Sequence, residues 1–215
     1  MTTAFPNDCI LCRHPDPKLF CEVSNRRYFN CDRCDLVFLD PRKQPNVEDE
    51  RAEYAFHNND SGDPRYRQHL AKLTEPLVKG LSHKAKGLDF GCGPGPAISV
   101  MLKELGYSVM NYDPYFAPNE SLLKTKYDFI SCTEVAEHFY DPHGTFTLLA
   151  ALLKPGGRLG LMTQFRPKDH PFVDWYYTKE HSHVTFYNDR SFSWLAESHG
   201  WTIREMNNPL VIFEN

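Results

Sequence analysis

"KGLDFGCGPGPAISVMLKELG", Lys86 to Gly106, sets three glycines at alternate positions, Gly91, Gly93 and Gly95, directly after a short apolar run. Glycine has the most backbone entropy to lose on folding, so three in five residues mark a place where side chains would obstruct. The preceding "GLDF" suits a buried parallel strand. In "AISVMLKELG", Ile98, Met101, Leu102 and Leu105 fall at i, i+3, i+4 and i+7, the spacing of an amphipathic helix that Gly106 would stop. "YSVMNYD" reads as a second strand ending at Asp113. This strand–loop–helix–strand order predicts the first unit of a doubly wound α/β sheet, with ligands at the carboxyl ends of the strands.

The loop's chemistry narrows the ligand. A dinucleotide site wants G-x-G-x-x-G, but the third glycine position holds Pro96, and no P-loop run exists. Pro94 and Pro96 remove two backbone N–H donors, and phosphate recognition at a helix start depends on such donors. A donor-poor loop suits a ligand without phosphate, and S-adenosylmethionine fits. The glycines would give clearance. Asp113 would accept from the ribose hydroxyls. Asp89 would meet the ligand's ammonium or bond the loop's own N–H groups. Asp89, Gly91, Cys92, Gly93, Gly95 and Asp113 are the candidate cofactor contacts of this stretch.

A second pattern occupies the N-terminus. "CILC" (Cys9, Cys12) and "CDRC" (Cys31, Cys34) enclose eighteen residues, a spacing read as a structural zinc site. Four thiolates would hold Zn²⁺ in a tetrahedron at about 2.3 Å, leaving no open position for substrate. Some 40 residues cannot bury enough core alone, and metal binding supplies the missing free energy. "LFCEVSNRRYFNC" predicts two strands around a turn near Ser24-Asn25, and "DLVFLDP" a closing strand before Pro41. Cys21 or His14 is an alternative ligand for one position. The expected organisation is a zinc ribbon over 1–44, a helical lid or linker over 45–85 and the α/β domain over 86–215.

Bulk properties remove several classes. With 215 residues, 41% apolar and 24% charged, the chain is an ordinary globular one. No apolar run approaches the roughly 18–20 residues of a membrane span, so no membrane partner is expected. "MTTAFPNDC" lacks the basic start and apolar core of a secretory signal, and the expected location is the cytoplasm. The net charge of −4, and a surplus of one positive charge over residues 1–45, leave nucleic acid a disfavoured partner. Arg26, Arg27, Tyr28 and Phe29 form the one basic-aromatic cluster that would serve it.

"LDFGCGPG", "YDPY", "YDFISCTEVAEHFYDP" and "LLKPGGRLGLMT", in that order, resemble the class I S-adenosylmethionine-dependent methyltransferases, from about Lys86 to the C-terminus. The E-V-x-E-H and L-L-K-P-G-G segments are similar to the ubiquinone-biosynthesis O-methyltransferase branch. A cysteine ribbon ending in "LVFLDP" also resembles that of the sugar C-methyltransferases. The resemblance implies a Rossmann-like, mostly parallel sheet with an antiparallel last strand, here within "WTIREMNNPLVIFEN". It implies that Thr133 and Glu134, at the end of strand Tyr127–Cys132, abut the methionine part of the cofactor. It also implies that Tyr54, His57, Tyr66 and Arg67 lie over the cofactor. Only fourteen residues separate Asp113 from Asp128, so the sheet is expected to be shortened around its third strand, with at most a short strand at Ser121–Leu123. Tyr112, Tyr115 or Phe116 would then stack on adenine.

Methyl transfer is an in-line displacement at carbon, so alignment does most of the work. A general base is needed only when the acceptor must lose a proton early. Glu134, Glu137 and His138 sit at i, i+3 and i+4, and His138 is the first candidate for the catalytic role. Three roles are open to the trio: proton transfer or substrate contact through an imidazole, a divalent cation site, or helix capping. The resemblance adds His183, with His181 second, as an active-site histidine. Trp175, Tyr176 and Tyr177 would wall a pocket or seal the insert against the sheet. The expected acceptor is a small molecule. An RNA or protein acceptor, a non-catalytic S-adenosylmethionine-binding domain and a nucleotide-dependent dehydrogenase are the other readings.

Overall fold

The computed structural model describes residues 6–54 and 60–215. The candidate lid residue His57 lies outside them. Two sheets organise the chain. The larger has six strands in the order β5-β4-β6-β7-β10-β9: β4 (Lys86–Phe90), β5 (Ser108–Tyr112), β6 (Tyr127–Thr133), β7 (Leu153–Met162), β9 (Thr202–Asn207) and β10 (Leu210–Glu214). The first four run parallel, and β10 lies antiparallel between β7 and β9.

Helix α2 (Pro64–Val78) and α3 (Ala97–Glu104) cover one face. A leucine stripe on α2 buries Leu70, Leu73 and Leu77 against Met101, Leu102 and Phe129, with Pro76 inside the helix. Helices α4 (Pro142–Leu152) and α5 (Asp189–His199) cover the other face through Phe146, Leu149, Phe192 and Leu195. Asn188 caps α5 in a reciprocal capping box with Ser191. The face of α3 departs from the expected one in one place: Leu105 lies beyond the last helical residue and is 48% exposed.

The expected short strand at Ser121–Leu123 is instead a 3-10 helix, Glu120–Lys124, capped by Asn119. Fourteen residues cannot leave the sheet, cross it and return, so Asp113 pairs with Ala117 in a tight turn and the chain goes straight to β6. β5 is therefore the sheet's edge. β7 also begins earlier than the sequence suggests, taking Pro155-Gly156-Gly157 into the strand, with a register shift against β6 and Gly156 at φ 71°.

The smaller sheet has the order β1-β2-β3-β8. β1 (Lys18–Val23) and β2 (Arg26–Asn30) form the expected hairpin, with Ser24 and Asn25 both at positive φ, and β3 is Val37–Leu39. Its fourth strand comes from the other end of the chain: β8 (Thr185–Phe186) pairs Phe186 with Val37 and Thr185 with Phe38. The cysteine module is thus no separate bead. Cys9, Cys31, Cys34, Leu36 and Phe38 share one core with Phe146, Tyr187 and Phe192.

Candidate active site

The glycine loop sits where β4 hands over to α3, and its amides are spent on the neighbouring strand. Gly91 and Cys92 donate to the carbonyl of Tyr112, and Gly93 donates to Asp113 Oδ2 at 3.0 Å. The other carboxylate oxygen of Asp113 accepts from the amides of Tyr115 and Phe116. With prolines at 94 and 96, this is a rigid wall with few outward donors, unlike a phosphate cradle. Gly91 and Gly93 are at positive φ, a conformation in which a side chain costs energy. A Cβ at Gly91 would meet Val135 Cγ2 at 2.5 Å. The clearance expected for a ligand is, at Gly91, taken up by the protein.

Asp89 lies beneath the loop. It is 3% exposed, accepts from Ser131 Oγ at 2.9 Å and is pushed up to about 7 by burial.

A cavity of about 750 Å³ opens at the carboxyl ends of β4, β5 and β6. Gly91, Gly93, Asp113, Thr133 and Glu134 line it; Asp89, Cys92 and Gly95 do not. Tyr112, Tyr115 and Phe116 also face it, as do the lid residues Tyr54 and Tyr66. Arg67 turns away, to Glu104 and the carbonyl of Ser61. Thr133 Oγ1 is buried without a hydrogen-bond partner among the described residues. Glu134 holds φ 51° and donates its amide to Met162, a strained backbone for a residue with a side chain.

The opposite end is built from side chains. A 3-10 turn, Ala136–His138, follows Glu134. Glu137 is 1% exposed and accepts from the Tyr177 hydroxyl at 2.5 Å through Oε1, while its Oε2 has no hydrogen-bond partner among the described residues. Burial, and then the charge of Glu134, push the Glu137 carboxyl well above the usual range. His138 Nδ1 lies 3.0 Å from the carbonyl of Ser182, and His183 Nδ1 lies 2.7 Å from that of Tyr177. A carbonyl only accepts, so each Nδ1 carries a proton; the Nε2 of His183 lies 3.4 Å from Glu180 Oε2. The two rings stand 4.8 Å apart, and Glu137, His138 and His183 each offer a ligand atom within 4.8 Å of the others.

Of the aromatic run, Tyr177 is buried at this wall and Tyr176 lies exposed at its rim. Trp175 packs away, against Phe172 and Phe186. His181 is exposed and outside the cavity wall.

Glu50 and His69 are among the lining residues that the sequence does not single out. Glu50, on α1 (Val47–Tyr54), accepts from the Tyr54 hydroxyl at 2.6 Å and the Tyr115 hydroxyl at 2.9 Å. Burial and then Glu50 push Tyr115 up to about 12. His69 stands 3.6 Å from Glu134. Its signal was faint: it follows Tyr66 at i+3, off the leucine stripe. Altogether six carboxylates line the cavity, Glu50, Asp113, Glu134, Glu137, Asp141 and Glu180, and no Lys or Arg is among the described lining residues.

In the ribbon, Cys9, Cys12, Cys31 and Cys34 are all buried, with their Sγ atoms within 4.8 Å of one another. The pairs Cys9–Cys34 and Cys12–Cys31 are 3.7 and 3.4 Å apart. A tetrahedron with Zn–S of about 2.3 Å has an S–S edge of about 3.8 Å, so the donor set fits the ion. Neither Cys21 nor His14 joins the cluster.

Comparison with known proteins agrees with this geometry. A family model described as "Methyltransferase domain" matches residues 25–206. A ubiquinone biosynthesis O-methyltransferase of Aeromonas salmonicida is 26% identical over 144 residues, 63% of this chain and 60% of that protein. One of the same name from Colwellia psychrerythraea is 32% identical over 92 residues, 42% and 37% of the two chains. The chain therefore spans less than two-thirds of the length of these relatives.

Among solved structures, the 1,6-didemethyltoxoflavin-N1-methyltransferase of Burkholderia thailandensis, with 1,6-didemethyltoxoflavin and S-adenosylhomocysteine bound, aligns at TM-score 0.53 and 14% identity. The alignment covers 92% of this chain and 99% of that one. PH0226 of Pyrococcus horikoshii aligns at 0.51 and 16%, covering 76% and 98%. Both are likenesses of fold. Among the described residues no helix is long and apolar enough to cross a membrane. The match over residues 25–206 places this chain in the methyltransferase-domain family.

Proposed function

We propose that the protein methylates a hydroxyl of a small aromatic acceptor that carries no phosphate. The observation that carries this reading is the cavity's charge: five carboxylates besides the Glu137 carboxyl, which burial pushes toward its neutral form, and no described Lys or Arg. Such a wall favours a sulfonium donor and its ammonium, and repels phosphorylated acceptors and nucleic acid. Tyr54, Phe139, Tyr140 and Tyr177 supply apolar faces at the acceptor end. The two curated relatives are named O-methyltransferases, which supports oxygen as the atom methylated.

In this reading the donor lies along β4 and β5, its ribose toward Asp113 and its methionine end toward Thr133 and Glu134. The acceptor oxygen attacks the methyl carbon in line, the carbon–sulfur bond breaks, and S-adenosylhomocysteine leaves. The acceptor's proton passes to an imidazole Nε2, on His183 or His138, whose Nδ1–H is fixed to a carbonyl. The test is a screen of phenols and catechols for S-adenosylhomocysteine release, with His183→Ala and His138→Ala assayed separately alongside S-adenosylmethionine titration. Lost turnover with retained binding supports the acceptor-side role; unchanged turnover in both variants excludes it.

One observation favours a second reading of the same trio. Glu137 Oε2 is buried without a described hydrogen-bond partner, and a Glu137 carboxylate oxygen lies within 4.8 Å of a ring nitrogen of both His138 and His183. A divalent cation would take those three donors, and a bound cation would lower the acceptor hydroxyl's pKa. Chelator-sensitive turnover restored by Mg²⁺, Mn²⁺ or Zn²⁺, with the melting temperature unchanged, would select it over the imidazole base.

The zinc ribbon belongs to the same proposal. Cys9, Cys12, Cys31 and Cys34 would hold one Zn²⁺, which closes the two knuckles and takes no part in methyl transfer. Elemental analysis should find about one zinc per chain.

A further inference from the structure

The ribbon reaches the active site through one side chain. Arg26, the first residue of β2, donates from Nη2 to the carbonyl of His181 at 2.8 Å and to that of His183 at 3.4 Å. Its guanidinium lies over the Tyr28 ring, 5.7 Å from the centroid, which holds the fork in place. The backbone on either side of His183 is pinned as well. Leu39 donates its amide to the carbonyl of Val184, the amide of Val184 reaches the carbonyl of Glu137, and Thr185 and Phe186 pair with β3. β2 and β3 flank the second cysteine knuckle, Cys31–Cys34. The segment that carries His183 is thus clamped between the ribbon and the Glu137 turn.

We infer that Arg26 is the positioning residue for His183: its grip on two carbonyls fixes where the imidazole presents Nε2. Surface strands seldom spend an arginine on main-chain carbonyls of a segment about 155 positions away in sequence without a geometric reason. A single nitrogen, Nη2, bridges the two carbonyls and so ties the two ends of the His181–His183 segment to each other and to β2. Arg26 itself does not line the cavity, so its effect passes through the main chain.

The inference rests on His183 facing the acceptor, and the test separates the two. In full-length Arg26→Ala, amide exchange over 183–187 should rise at least tenfold while that of β4 and β6 stays constant. The imidazole resonances of His183 should move, and the affinity for S-adenosylhomocysteine should stay within twofold. Arg26→Lys, which keeps the charge but loses the planar guanidinium over Tyr28, should fall between. Unchanged exchange and unchanged His183 resonances in Arg26→Ala overturn the inference. Exchange that rises equally across the whole chain also overturns it, because the role is then general folding. Full turnover in His183→Ala would instead sink the acceptor-side role while leaving the exchange result intact.

Discussion

The donor end and the acceptor end of the cavity are built by different means. In the proposed reading the donor end is mostly main chain from one contiguous stretch, Lys86 to Ala117, where a strand tip, a glycine loop and the Asp113 carboxylate satisfy one another, with Thr133 and Glu134 added at the tip of β6. The acceptor end gathers side chains from separated segments: Glu50 and Tyr54, Glu137 to Tyr140, and Tyr176 to His183. It is then braced from outside by the ribbon. A wall made of local backbone keeps its shape on its own. A wall made of distant side chains keeps it only while its supports stand.

That contrast yields its largest expected effect at the metal cluster. Cys31→Ser should abolish zinc by elemental analysis, since binding free energy on the order of 10 kcal/mol is also folding free energy in such modules. A fall in melting temperature of roughly 10 °C or more is expected. The comparison requires the damage to be lopsided: exchange should rise over 26–39 and 181–187, and binding of S-adenosylhomocysteine should survive below the new melting point. Equal loss at both ends would break it.

Next in size is Gly91→Ala, aimed at the donor end. Its positive φ and the 2.5 Å approach to Val135 Cγ2 should cost about 2–4 kcal/mol. Calorimetric affinity for S-adenosylhomocysteine should fall at least thirtyfold. Adding Val135→Ala should recover part of that loss, because the steric share is then relieved. No recovery would mean the backbone conformation alone requires glycine.

Asp89 gives a smaller, pH-dependent effect. Burial raises its folded-state pKa to about 7, so the folded protein holds a proton that the unfolded chain releases near pH 4. Its contribution is greatest below the unfolded value and is lost as pH rises through about 7. Unfolding free energy should therefore decline between pH 5 and 8 by on the order of 2 kcal/mol more than in Asp89→Asn. Parallel curves for the two proteins would show that Asp89 is not titrating there.

The smallest effect belongs to Leu105→Lys. That side chain is 48% exposed past the end of α3, and denaturant midpoints should give a change within about 0.5 kcal/mol.

What could be read from the sequence follows the same division. The β4–α3–β5 unit, the cysteine pairs, the Ser24-Asn25 hairpin and the C-terminal hairpin all rest on short-range spacing and turn chemistry, which a linear string displays. The missing third strand was half legible. Its short allowance was visible, but that Asn119 would cap a 3-10 turn in its place was not.

"HVTFY" reads as a strand ahead of the helix capped at Asn188, but the pairing of β8 with β3, about 147 positions away, is not visible in the string. Glu50 was hidden for a similar reason. A carboxylate in a polar helix looks solvated until Tyr54 and Tyr115 close over it. His138 and His183 could each be nominated singly. Their edge-on contact at 4.8 Å belongs to the fold.

The sheet joining the chain's two extremes also sets limits on trimming. Cutting before residue 45 would strip β8 of its neighbour and uncover Phe172, Trp175 and Phe186, now packed beneath Tyr28 and Val37. An orphaned strand margin next to bare aromatic rings is a template for self-association. A shortened chain would be expected to clump in solution, even with the glycine-loop half of its cavity intact.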